Sequence, residues 1–153
     1  MTLLERLGFK RKKKEPAQNG TQDMDEVVFR CTFSSAGGML GGHVYYCLEQ
    51  DRSGARKLTY SVQETHDDEE VSGELEPSED LVNELLYIYE RAEVKKYGKL
   101  KKSDIMVLDA PSESVSFLVE GKETTIRDSD EIPKPGQGII GNIFVTFRNY
   151  VFK

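Results

Sequence analysis

The sequence predicts an α+β domain: an antiparallel sheet, a meander of about six strands, with two helices packed on one face. Three observations carry this. Apolar residues alternate with period two over residues 27–34, 43–49 and 58–63, with short, turn-rich connections between them. Two later segments, 78–96 and 139–152, repeat apolar residues at helical spacing instead. Each has a single apolar stripe, so both are satisfied by lying on the same side of a sheet.

In the first strand Val27, Phe29, Cys31 and Phe33 alternate with Val28, Arg30, Thr32 and Ser34. A Gly-rich connection, Ser35 to Gly42, follows. In the second strand Val44, Tyr46 and Leu48 point inward, which sets His43, Tyr45, Cys47 and Glu49 in a row on the outer face. Asp51-Arg52-Ser53-Gly54 is a turn by composition. Leu58, Tyr60 and Val62 mark a third strand, and Val71 to Leu75 a short fourth.

Pro77 and Ser78 then open a helix. Ser78 suits the N-cap, and Glu79 and Asp80 sit where the helix dipole favours anions. Leu81, Leu85, Ile88, Tyr89 and Ala92 form its stripe; Lys95 and Lys96 suit its end, with Gly98 just beyond. Further strands are expected at Ile105–Leu108, Val115–Val119 and Thr124–Ile126, the last two joined by the tight turn Glu120-Gly121-Lys122. Ile132 to Gly136 is a Pro-rich loop. In the last segment Val145, Thr146 and Phe147 favour strand. Ile139, Ile140, Ile143, Phe144, Phe147 and Val151 fit one helical face, and the length decides for helix.

The 153 residues are enough for one domain. Residues 1–14 form a basic leader, 15–25 a polar linker expected to be mobile, and 26–153 the domain. Of 21 Lys+Arg and 27 Asp+Glu, six and two fall within residues 1–15, so that segment carries +4 and the remainder −10. An acidic body excludes nucleic-acid binding by the whole domain, which would need a basic face. No run of about 18 apolar residues is present to span a membrane. The apolar part of the N-terminus is short and precedes its charges, unlike a secretory signal, so a cytoplasmic location is expected. Two cysteines imply no disulfide framework.

Candidate functional residues fall in three places. In the leader, Leu3, Leu4, Leu7 and Phe9 precede Lys10, Arg11, Lys12, Lys13 and Lys14. Such a segment can dock on an anionic membrane surface or on a protein partner, or remain a solvated tail. It is similar to the leucine-plus-lysine leaders of bacterial peripheral membrane proteins, which implies a place at the inner membrane face. The second place is the Gly-rich connection, Gly37-Gly38-Met39-Leu40-Gly41-Gly42. A strand follows it and it lacks Lys, so it is no phosphate cradle; Met39 and Leu40 at its tip are candidate partner contacts. The third is the outer row, where His43 and Tyr45 offer a binding surface.

Cys31, His43, Cys47 and His66 match no zinc spacing, and strand parity separates Cys31 from Cys47, so neither a metal nor a disulfide is expected. Asp67 to Glu70 lacks the pattern of a calcium loop. The lysines around Tyr97 suit a solvated helix end. No cofactor motif is found. The alternative to a binding domain is a small enzyme using His43 or His66 as acid or base, which requires both to reach one pocket with a carboxylate.

The order of parts resembles small uncharacterised α+β proteins of Gram-positive bacteria. The shared parts are the Gly-rich hairpin, the Tyr-bearing strand, the Leu81–Tyr89 helix, the Asp109 turn before Ser116 to Gly121, and the Ile132-Pro133 break. The resemblance spans residues 26–150 and implies no activity and no functional residue. The sequence therefore reads as a non-catalytic binding or accessory domain, docked through its leader to a membrane surface or a protein partner.

Overall fold

Phe29, Cys31 and Phe33 are all buried along one side of the first strand, and the sheet is built outward from it. The structure, a computed structural model, describes residues 25–102 and 111–153. Its strands are β1 (Val27–Gly37), β2 (His43–Asp51), β3 (Arg56–Gln63), β4 (Val71–Leu75), β5 (Pro111–Val119) and β6 (Lys122–Arg127). They form one six-stranded sheet in the order β4-β3-β2-β1-β5-β6, with every pair antiparallel. β1 to β4 are a meander. The chain then crosses by a helix to the far side of β1, where β5 and β6 add as a hairpin. The expected strand Ile105–Leu108 lies outside the described residues, as do the leader and residues 15–24 of the linker.

Strand parity sorts the faces as the alternation requires. Cys31 stands opposite Leu48, and Phe33 opposite Tyr46 and Val115. Thr32 stands opposite Cys47 on the other face. The two cysteines are therefore on opposite sides of the sheet, and both are free.

Helices α1 (Glu79–Arg91) and α2 (Ile139–Val151) cover the inner face. Leu81, Val82, Leu85 and Tyr89 of α1 are buried, and the Tyr89 ring meets Phe117 at 5.0 Å. Ile139, Ile140, Ile143 and Phe147 of α2 are buried, and Phe147 stacks on Tyr46 at 5.2 Å. Packing thus selects helix for the last segment despite its β-branched residues.

The first helix ends earlier than its lysines suggest. Glu93 adopts a left-handed conformation, and Val94–Lys96 form a separate 3-10 turn. The break turns Val94 and Tyr97 into the core, and Tyr97 donates to the Ala92 carbonyl at 3.1 Å. A continuous helix would have carried them past it. Ser78 stands at the N-cap but makes no side-chain cap. Instead its backbone N–H donates to the Tyr150 hydroxyl at 2.8 Å, which ties α1 to α2. Arg56, 1% exposed, donates to the Pro77 carbonyl at 3.2 Å and fixes the same corner to β3.

Two turns show how local sequence sets the sheet. Glu120 and Gly121 both have positive φ, the geometry of a two-residue hairpin whose twist suits the strands. In the β2–β3 turn, Asp51 is buried and accepts from the N–H groups of Ser53 and Ala55 and from the Ser53 hydroxyl. It also accepts from the Asp25 N–H, which anchors the start of β1.

Candidate functional site

At the opposite end of the sheet, the Gly37–Gly42 connection arches over a groove of about 870 Å³. Its floor is the inner-face ends of β2 and β3, with Val44, Tyr46 and Val62. One wall is α2, with Phe144 and Arg148, continued by its C-cap residue Phe152. These lie four residues apart and so stack along one line of the helix. The other wall is the β3–β4 connection with Glu64, Asp68 and Glu69, continued by Val71 of β4.

The lip is fixed by glycine. Gly42 has φ +77°, and a Cβ there would come within 2.5 Å of the Glu64 carbonyl oxygen and 2.6 Å of that of Gln63. Only glycine permits this approach. The tip is held by His66, whose backbone N–H donates to the Leu40 carbonyl at 3.1 Å; its Nδ1 lies 3.2 Å from the same oxygen. A carbonyl oxygen only accepts, so Nδ1 is the donor. This pinning leaves the Met39 and Leu40 side chains 74% and 64% exposed. Val71 and Phe152 are also exposed large apolar residues, and all four line the groove. Four exposed large apolar residues thus line one concavity, and exposed apolar surface of this kind marks interaction sites.

The electrostatics are split between the walls. Asp67, Asp68, Glu69 and Glu70 follow Glu64 in sequence, so the β3–β4 side is strongly acidic. On the α2 side Arg148 supplies a positive charge. Burial pushes the Tyr46 phenol up, and the nearby Arg148 partly opposes it.

His43 lines the groove; His66 is not among its lining residues. This groove thus does not bring the two histidines together as acid–base partners. His43 Nε2 lies 2.7 Å from Ser61 Oγ and 3.4 Å from Glu70 Oε2, and the Ser61 hydroxyl donates to that same Glu70 oxygen. The arrangement has the residue types of a nucleophile triad but not its proton path. Ser61 and Glu70 both meet the same ring nitrogen of His43, Nε2, whereas a triad needs its carboxylate on the other ring nitrogen. The Ser61 hydrogen bond, followed by the charge and hydrogen bond of His43, holds the exposed Glu70 carboxyl below its ordinary value. That makes it a weak base. The cluster joins β2 and β3 to Glu70, just before β4, on the outer face.

Along the rest of the outer row, Tyr45 is partly exposed. Burial and the neighbouring Cys47 push its phenol up to about 12. Cys47 is covered by its neighbours and accepts from the Thr32 hydroxyl at 3.5 Å. Glu49 pairs with Arg30 at 3.1 Å. Among the described residues no group of three or more His, Cys, Asp or Glu is placed to hold a metal ion.

Compared with known proteins, the chain matches no family model and no curated protein. No described helix is long and apolar enough to cross a membrane.

Sequence reasoning reached Met39, Leu40 and His43 but not Val71, Arg148 or Phe152. The i, i+4 series 144, 148, 152 was the available signal for the α2 wall. The leader residues Leu3, Leu4, Leu7, Phe9 and Lys10 to Lys14 lie outside the described residues.

Proposed function

We propose that this chain is a non-catalytic binding protein whose groove receives an apolar peptide segment flanked by basic residues. The observation that carries this is the groove itself: Met39, Leu40, Val71 and Phe152 are exposed around one concavity with an acidic wall on one side. Apolar side chains would fill the floor, and Lys or Arg would meet Glu64, Asp68 and Glu69. Complementary charge of this kind supports specificity and association rate more than raw affinity. The acidic wall also favours a protein segment over an anionic lipid surface for this end of the molecule, since like charges repel.

The test is a titration of the full chain, followed by NMR of the methyl groups of Met39, Leu40, Val44 and Val71, with three peptides. One carries several Leu followed by a Lys run, one replaces the Leu by Ser, and one replaces the Lys by Glu. The first should shift these methyls, and the effect should fade with salt as the Debye length falls. Met39→Ser with Leu40→Ser should weaken binding without unfolding the domain, because both side chains are exposed. Equal response to all three peptides, or none to any, would refute the reading.

A further inference from the structure

Resting on that reading, we infer that the groove's occupant is the chain's own leader, residues 3–14, bound within the same molecule. The leader has the composition the groove selects: Leu3, Leu4, Leu7 and Phe9, then five consecutive basic residues from Lys10 to Lys14. The order matters as much as the composition. Apolar side chains on the floor would leave the basic run beside the β3–β4 wall, where Glu64, Asp68 and Glu69 line the groove.

The chain can reach. Asp25 is held at the Asp51 end of β1, and the groove lies at the Gly37 end. The distance to cover is that of the strand, about 33 Å at roughly 3.3 Å per residue. From Phe9 to Asp25 there are sixteen residues of chain, which reach about 53 Å when extended. Self-docking therefore needs no second molecule. It would occupy the groove in competition with any other segment of similar composition.

The experiment uses the full chain, wild type and Leu4→Ser with Leu7→Ser, and a free peptide of residues 1–14. If the leader occupies the groove, the double substitution shifts the methyl signals of Met39, Leu40, Val44 and Val71. The free peptide then binds the variant about tenfold more tightly than the wild type, because a tethered competitor at millimolar effective concentration has been removed. Unmoved methyls, together with equal peptide affinity for both proteins, would overturn self-docking while leaving the groove as a peptide site. No peptide binding to either protein would overturn both readings. A methyl shift that disappears on dilution of the wild type would assign the leader to a second copy and overturn the intramolecular form.

Discussion

Asp51 gathers more hydrogen bonds than any other side chain described here, and its removal tests how the groove-distant end of the sheet is held. Its Oδ1 accepts from Ser53 N at 2.9 Å, Ser53 Oγ at 2.7 Å and Ala55 N at 2.8 Å, and its Oδ2 from Asp25 N at 2.9 Å. Asp51→Ala leaves all four donors without this acceptor. Those near the surface return to water, but the Ala55 N–H is buried and bears a penalty of about 1–3 kcal/mol. With the lost charge-assisted bonds, partly offset by no longer burying a carboxylate, the net cost is about 2–4 kcal/mol. Asp51→Asn keeps one acceptor oxygen but sets an amide N–H against Asp25 N–H, and should cost about 1–2 kcal/mol. The sign of the pH dependence follows from the carboxyl. Burial alone would raise it, yet the hydrogen bonds from Ser53, Asp25 and Ala55 outweigh burial and hold it below its ordinary value. Its contribution is therefore complete above the unfolded value of about 3.9 and is lost as pH falls through the lower folded value. Urea midpoints of wild type and Asp51→Asn should differ most near about pH 7 and converge in acid, other carboxylates cancelling in the difference. A gap that stays constant into acid, or an Ala variant costing under about half a kcal/mol, would refute the account.

Two further outcomes test the packing. Leu85→Ala should cost about 2–5 kcal/mol in the same assay, since Leu85 is fully buried between α1 and the sheet; a loss under about half a kcal/mol would mean the α1 face is wrongly placed. Gly136→Ala should destabilise far more than Gly98→Ala, because a Cβ at Gly136 would overlap the Tyr97 hydroxyl while one at Gly98 meets nothing within 4 Å; equal effects of the two substitutions would show that the Tyr97 corner is not packed as described.

The sheet and helices were legible because each buries one face, and burial writes its period into the sequence. β2 shows this clearly: Val44, Tyr46 and Leu48 alternate with His43, Tyr45 and Cys47, and the faces fall as that alternation requires. What the alternation does not contain is the order of strands. The addition of β5 beside β1 depends on a crossover that leaves no local mark. The early end of α1 was hidden for a related reason. Glu93 has no intrinsic preference for a left-handed conformation, and adopts it because burying Val94 and Tyr97 outweighs the local cost. Asp51 and Arg56 were missed as anchors because a lone charged residue at a turn or strand end reads as solvated until its partners are known. The groove was half legible. Met39 and Leu40 stood out as apolar residues among glycines, but Val71, Arg148 and Phe152 gain meaning only when β4 and α2 meet at the same end.

The energetics of the groove bear on what can occupy it. Met39, Leu40, Val71 and Phe152 are 74%, 64%, 49% and 47% exposed. Burying a whole side chain of this kind is worth about 1.5–3 kcal/mol, so covering these fractions yields roughly 3.5–7 kcal/mol on the domain's side. The occupant's own apolar residues add to this, but ordering its side chains costs about 0.5–1.5 kcal/mol each, and association of two free molecules costs at least about 4 kcal/mol more. Exposed ion pairs along the acidic wall return less than about 1 kcal/mol apiece. A free peptide would therefore bind weakly, and its affinity would fall quickly with salt. A tethered segment is presented at millimolar effective concentration, so interactions too weak to capture a dilute free partner suffice to hold it. The same arithmetic sets the condition for release: a competing partner must present more apolar area than the leader does, or hold the leader elsewhere.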